Sequence, residues 1–305
     1  MLTPAVESYI ALRRAVGFSC VSAYAQLRSF ARFADDCSDR HVRASTAIAW
    51  ARLASSRGES SRRLRTVVRF ARHARAEDPQ HEIPAADVFG KPSRQRPVPF
   101  IFAPEEVRRL VQAAGDLGPQ GSLRPDSLSA FLALLAATGL RLSEALRLRL
   151  SDLSDDGLVI RETKFRKSRL VPLHPSVVAG LQRYLVKRRA VVGDDEHLFV
   201  NHLGRKLSRY AVGDAFRLLV RRLGLKPSLP NLPRPRVHSL RHTFAVRALE
   251  SCPHDRDQVG RHLLALSTYL GHATVADTYW YLQATPQLLT DIAAACEEFL
   301  KREAR

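Results

Sequence analysis

Acidic residues are few in this sequence: 30 Asp and Glu stand against 48 Lys and Arg, leaving a formal net charge of +18 at pH 7. That imbalance favours a polyanionic partner, because each basic group brought to a phosphate backbone releases counterions. Cysteine is scarce too. Cys20, Cys37, Cys252 and Cys296 are scattered without metal-ligand spacing, and they read as reduced thiols of a cytoplasmic protein. Long apolar runs are missing. The most apolar stretch, Ala130 to Ala137, is far short of the ~20 residues of a membrane span. Met1 to Phe18 carries Glu7, Arg13 and Arg14 and has no apolar core, so it is not expected to be a signal peptide. No cluster of acids is present that could hold a divalent cation, and there is no internal repeat or low-complexity tract.

What is present fits two domains, as a length of 305 residues suggests. Residues 1–90 read as all-helical. Pro4 follows Thr3 at a helix start, Val6, Tyr9, Ile10 and Leu12 give an apolar face, and Gly17 stops the helix. Tyr24, Leu27, Phe30 and Phe33 repeat the pattern within Val21 to Ala34, and a third helix is expected over Ser45 to Leu53. Gly58 and Ser60 introduce a fourth, on which Arg62, Arg65, Arg69 and Arg72 share one face while Leu64, Val67, Val68 and Ala71 face elsewhere. With no acid expected to neutralise it, the arginine stripe is a candidate DNA contact, set against the blander reading of a solvated face. Residues 91–103, rich in proline and basic groups, read as an extended linker, either a plain spacer or a strap across DNA.

The second domain is expected over 104–305. Pro104-Glu105-Glu106 is an acid-rich first turn. A buried helix over Leu128 to Ala137 ends at Thr138-Gly139, and Arg141 sits on the turn before a further helix at Ser143-Glu144. Asp155-Asp156-Gly157 opens a hairpin with strands Leu158-Val159-Ile160 and Arg169 to Leu173, whose connecting turn carries Lys164, Arg166 and Lys167. Helices follow over Pro175 to Arg189 and Ser208 to Leu223. A proline-rich loop leads to His238-Ser239-Leu240-Arg241-His242-Thr243-Phe244-Ala245. About two turns of helix and a loop are then expected before Leu270-Gly271-His272 and Tyr279-Trp280-Tyr281. Singly, each of these residues has a bland alternative: a cap for Arg141, a solvated Lys164, a packed tyrosine.

Together they resemble the tyrosine recombinases, or phage integrase family. The likeness rests on Ala137-Thr138-Gly139-Leu140-Arg141-Leu142-Ser143-Glu144, on Lys164 ahead of Arg169-Leu170-Val171-Pro172-Leu173, on His238 to Ala245, and on Leu270-Gly271-His272 with Tyr281 nine residues on. It covers about residues 100–285. The resemblance implies a mainly α fold, with a helical SAM-like core-binding domain and an α+β catalytic domain carrying a small hairpin. The helical first domain is similar to that core-binding domain in shape and charge only.

The activity so implied is site-specific DNA strand exchange without cofactor or metal. Tyr281 would attack a phosphodiester, Arg141 and Arg241 would grip the non-bridging oxygens, His238 would act as base and His272 would hydrogen-bond the phosphate. Lys164 would protonate the leaving oxygen, with Lys167 as a nearby competitor. Two guanidinium forks suit that role in a way that lysine does not, and a base helps a phenol whose ordinary pKa is near ~10. Glu144 would orient Arg141. Tyr279, the rival nucleophile, should point to another helix face and, with Trp280, pack the helix, and His242 reads as structural. A tail helix over about 287–301, with Leu288, Leu289, Ile292, Cys296 and Phe299 in a stripe, would dock on a neighbouring subunit. The expected partners are double-stranded DNA with paired sites and further copies of the chain, a tetramer on DNA, with partner recombinases of the same element conceivable. Thr278-Tyr279-Trp280-Tyr281-Leu282 looks most like members encoded by transposable elements. Two other readings stand beside this one: a type IB topoisomerase, and an accessory DNA-binding protein with an inactive site.

Overall fold

The computed structural model describes residues 1–90, 98–119, 121–161, 168–192, 195–227, 232–251 and 256–284. The chain divides into two compact units, Met1–Arg96 and Pro97–Arg305. Both are mainly helical, and the second carries one small sheet.

The first unit is built from α1 (Thr3–Ala15), α2 (Val21–Asp36), α3 (Ala44–Arg52) and α4 (Arg57–Glu77). Val6, Ile10, Leu27, Phe30, Leu64, Val67 and Phe70 are fully buried between them. Trp50 closes the core edge-on to Phe30, with ring centroids 5.5 Å apart, and its indole N–H donates to Ser29 Oγ at 3.3 Å. Leu12, expected on the inner face of α1, is 53% exposed. It lies two positions beyond Ile10, roughly 200° round the helix. Ser56 Oγ caps α4 by accepting from Glu59 N at 3.3 Å, so that helix starts slightly ahead of the expected Gly58.

The inward side of α4 is as the periodicity suggests: Leu64, Val67, Val68 and Ala71 are buried. Arg62, Arg69 and Arg72 are exposed and Arg65 is half-buried. The stripe is not free of acids, however. Glu59, one turn earlier, forms an ion pair with Arg62 and also lies 3.7 Å from Arg63 Nε.

In the second unit α5 (Pro104–Gly115) packs on α6 (Arg124–Thr138), which also meets α8 (Pro175–Val191) and α10 (Val237–Glu250). Neighbours on several sides explain why α6 is apolar nearly all round. It ends at Gly139, whose φ of +60° only glycine adopts without strain. The chain then turns into the short helix α7 (Leu142–Ala145), close to the start expected at Ser143-Glu144. A three-stranded antiparallel sheet follows in the order β1 (Leu153–Ser154), β2 (Gly157–Ile160), β3 (Arg169–Val171). Leu158 pairs with Val171 and Ile160 with Arg169, which puts Leu158, Ile160 and Val171 into the core with Phe131, Phe199 and Phe216. The strand β1 is too short to be seen in the sequence.

Helix α9 (Arg209–Arg222) precedes α10. Where two turns and a loop were expected, α10 runs for 14 residues and a further helix, α11 (Arg256–Leu270), follows. The short α12 (Ala276–Tyr279) continues as a 3-10 turn over Trp280–Ala284. A separate small core joins Ala245, Val246 and Leu249 of α10 to Leu263, Leu266 and Leu270 of α11, and Tyr281 belongs to it.

Candidate active site

Helix α10 presents His238, Arg241 and His242 within its first two turns, and its start is fixed at several points. Arg236 N donates to Ser239 Oγ at 3.1 Å. Thr243 Oγ1 accepts from Phe102 N at 2.9 Å and donates to Ser239 O at 2.9 Å. Arg241 is 3% exposed. Its guanidinium donates to Gly139 O at 2.7 Å and to Leu270 O at 2.8 Å. Burial, with the nearby charge of Arg141, lowers its pKa to about 10, so it stays a cation at neutral pH.

Arg141 comes from a different element but ends in the same place. It sits at the N-cap of α7, where Glu144 Oε2 accepts from its backbone N at 3.0 Å. Its Nη1 donates to Glu144 Oε1 at 2.8 Å and its Nη2 to Gly271 O at 2.7 Å. Arg141 and Arg241 are thus seated on the consecutive carbonyls of Gly271 and Leu270. These belong to the end of α11, where the last carbonyls lack helical partners and the helix dipole is negative. The turn that exposes them needs Gly271, at φ +66°.

Glu144 is buried and holds a charge. Desolvation pushes its pKa up, but the hydrogen bonds and charge of Arg169 and the bonds from Arg141 outweigh this and hold it below the usual range. The task expected of Glu144, orienting Arg141, has matching contacts in its bonds to both the backbone and the side chain of that residue.

The imidazoles are neutral at pH 7. Burial and the charges of Arg241 and Arg141 lower the pKa of His238, and they take His272 down to about 4. His272 Nδ1 is hydrogen-bonded to Thr278 Oγ1 at 2.7 Å, which fixes its ring 6.1 Å from that of Tyr281 and nearly parallel to it. Tyr281 is 3% exposed. Its hydroxyl is hydrogen-bonded to His242 Nδ1 at 3.2 Å. His242 lies edge-on to His238, with ring centroids 4.5 Å apart, and Trp280 packs against it at 5.2 Å. Burial, then His238 and Arg241, lower the pKa of His242 to about 3.

Five of the six expected catalytic residues therefore gather in one place: Arg141, His238, Arg241, His272 and Tyr281. Lys164 and its competitor Lys167 lie outside the described residues, as does the tail at 287–301. The imidazole on the Tyr281 hydroxyl is that of His242, which the sequence reading assigned only a structural part. Its position one helical turn after His238 was the available signal, since such residues share a face. Arg169 was noticed only as part of a pattern, yet it touches both Glu144 and the end of α11. Tyr279 is 53% exposed and so does not pack the helix as expected. The described residues contain no group of His, Cys, Asp or Glu arranged to hold a metal ion. No helix among them is long and apolar enough to cross a membrane.

Known proteins are similar to this chain in sequence and in fold. Over 298 residues the chain is 37% identical to a protein of Sinorhizobium fredii named integrase/recombinase y4rB, a match covering 94% of each. Over 210 residues it is 33% identical to tyrosine recombinase XerD of Halalkalibacterium halodurans, covering 67% of this chain and 63% of that one. Lambda integrase, solved as a dimer bound to a COC′ core site, has the same fold with a TM-score of 0.67 at 18% identity, covering 94% of this chain and 96% of that one. Its tetramer bound to a Holliday junction gives a TM-score of 0.66 at 18% identity, over 92% and 76%.

Fold and relatives together define a site-specific DNA recombinase of the tyrosine type. The chain belongs to the phage integrase family, whose model matches residues 101–287.

Proposed function

We propose that the chain cuts and rejoins DNA through Tyr281, with Arg141, Lys164, His238, Arg241 and His272 as the other catalytic residues. The Tyr281 oxygen bonds to phosphorus, the bond to the 5′-oxygen breaks, and a 3′-phosphotyrosine and a free 5′-hydroxyl result. Reversal by another 5′-hydroxyl rejoins the strand, and the covalent intermediate conserves the bond energy. The observation that carries this reading is the seating of two guanidinium groups on consecutive carbonyls beside one tyrosine. Such fixed donors stabilise the negative charge that builds on the phosphoryl oxygens, by roughly 3 kcal/mol each, and they need no rearrangement at the moment of reaction.

His238 takes the phenolic proton. Its lowered pKa keeps it unprotonated and able to accept at neutral pH. Its ring also lies against His242, which is hydrogen-bonded to the hydroxyl. Lys164 gives the proton to the leaving 5′-oxygen, and His272 supports the phosphate. Double-stranded DNA with paired sites is the partner, exchanged by a tetramer of the chain, with the 287–301 helix docked on a neighbouring copy. Arg62, Arg65, Arg69 and Arg72 of α4, with Lys167 of the second unit, contact the backbone. On this reading the first unit is the core-binding domain, and the likeness of the Thr278–Leu282 phrase to members encoded by transposable elements supports a gene carried on a mobile element.

The test is a suicide DNA substrate whose cut strand cannot be rejoined. A covalent protein–DNA adduct is expected, lost in Tyr281→Phe while binding persists. An adduct that survives Tyr281→Phe overturns the assignment of the nucleophile. Binding to the recombination site without any adduct means an accessory DNA-binding protein instead.

A further inference from the structure

Three arginines from three elements end on three successive carbonyls. Arg169 Nε donates to Tyr269 O at 2.7 Å, Arg241 to Leu270 O at 2.8 Å and Arg141 to Gly271 O at 2.7 Å. Arg241 and Arg141 already have roles in the reading above. Arg169 has none. It is the first residue of β3, its side chain is only 11% exposed, and its remaining nitrogens turn to Glu144. Nη2 lies 3.0 Å from Oε2 and Nη1 lies 3.3 Å from Oε1.

Glu144 is therefore shared. Oε1 accepts from Arg141 Nη1 and Arg169 Nη1, and Oε2 from Arg141 N and Arg169 Nη2. One buried negative charge faces two cations. Were Arg169 absent, Arg141 would be the one guanidinium left on Glu144 among the described residues and would pair with it in full. A cation fully paired to a buried carboxylate offers less to a phosphate, since the attraction between close charges is strong where water is excluded. Arg169 also ties the start of β3, five residues beyond Lys164, to the helix end that seats both phosphate-gripping arginines.

We infer that Arg169 is a positioning residue of strand exchange, which holds Glu144 away from full pairing with Arg141 and so leaves the Arg141 guanidinium available to the DNA phosphate. This rests on the reading of Arg141 given above. With Nε, Nη1 and Nη2 each bonded to a protein acceptor and the side chain only 11% exposed, Arg169 is turned toward the protein. Lysine could keep a cation beside Glu144, but it lacks the planar fork that reaches the carboxylate and the Tyr269 carbonyl together.

The experiment measures single-turnover adduct formation on the suicide substrate for wild type, Arg169→Gln, Arg169→Lys and the double variant Arg169→Gln/Glu144→Gln. Arg169→Gln should slow the reaction by roughly tenfold to a hundredfold, the scale of a small misplacement of a catalytic group. DNA affinity and its salt dependence should stay as in wild type. Arg169→Lys should fall between the two, and it keeps the test alive if the glutamine variant does not fold. The deciding result is the double variant. Removing the charge of Glu144 should restore part of the rate, because nothing then draws Arg141 away. A further loss in the double variant, or a wild-type rate in Arg169→Gln, overturns the inference.

A second readout needs no cleavage. The Nε–H signal of Arg141 in the NMR spectrum, assigned with Arg141→Lys, should move in Arg169→Gln and move back in the double variant, and an unmoved signal also overturns the inference. A wild-type chain that bound its site but formed no adduct would sink the functional reading alone, because the Arg141 signal would still judge this one.

Discussion

His242 Nδ1 and the Tyr281 hydroxyl are hydrogen-bonded at 3.2 Å, inside the small core formed by α10 and α11. The proposed nucleophile thus rests with its ring buried and its oxygen on an imidazole that burial keeps neutral. A hydrogen bond of this kind contributes about 1 kcal/mol net. His242→Leu should lower the free energy of urea unfolding by about that amount. His242→Gln, which keeps polar atoms within reach of the hydroxyl, should lose less. Equal losses in the two variants would show that the bond contributes nothing to stability.

Gly271 makes a sharper structural prediction. Its φ is +66°, and a Cβ there would lie 2.7 Å from Arg169 Nη1 and 2.9 Å from Cζ. Gly224 has a similar φ of +64° and nothing within 4 Å of the same position. Both Gly→Ala changes meet the left-handed backbone penalty of roughly 1–2 kcal/mol. Only Gly271→Ala must also displace a guanidinium held by Glu144 and Tyr269 O. The melting temperature should fall further for Gly271→Ala than for Gly224→Ala, and only the former should slow adduct formation. Matching effects in both would mean that Arg169 gives way without cost.

Much of this site was legible because its residues occupy local patterns with clear stops. Gly139 ends α6 and delivers Arg141 to the next turn, and His238 and Arg241 stand one helical turn apart on α10. The hairpin strands were visible because the Asp155-Asp156-Gly157 turn leads into the apolar run Leu158-Val159-Ile160, with Arg169 to Leu173 as its return. Helix α11 was missed although Val259, Leu263, Leu266 and Leu270 recur at helical spacing, because charged and small residues between them mask the apolar stripe. Contacts between distant elements left no trace in any window. The bonds from Arg169 to Glu144 and to Tyr269 O join residues 25 and 100 positions apart. The Glu59–Arg62 pair was local, one turn apart on α4, and could have been seen.

The neutral imidazoles make stability depend on pH. Burial holds His272 at about 4 and His242 at about 3, whereas in the unfolded chain both titrate near ~6.5. Below that value the unfolded state binds protons that the folded state refuses, so stability falls as pH falls. It is present in full above ~6.5 and is lost progressively as pH drops toward the folded values. Glu144, with its lowered pKa, adds to the loss only in the carboxylate range. Urea unfolding at pH 7 and pH 5 isolates the histidines. The wild type should be less stable at pH 5, and His272→Asn should show a smaller difference. A difference as large in His272→Asn would place the effect elsewhere.

The arginines of α4 are unequal, and salt dependence can rank them. Arg62 is paired with Glu59, and Arg65 Nε donates to Ser61 O at 3.2 Å. Arg69 and Arg72 are exposed, and Arg69 Nη2 makes a long bond to Thr66 Oγ1, at 3.4 Å. Each phosphate contact adds about 0.9 to the slope of log affinity against log salt. Arg69→Gln with Arg72→Gln should therefore reduce the slope by nearly 2 and weaken binding at every DNA sequence alike. Arg62→Gln should change it by less. In a Glu59→Gln background Arg62 is released from its partner, and Arg62→Gln should then approach a full contact. A slope unchanged by the Arg69/Arg72 pair would turn the stripe back into an ordinary solvated face.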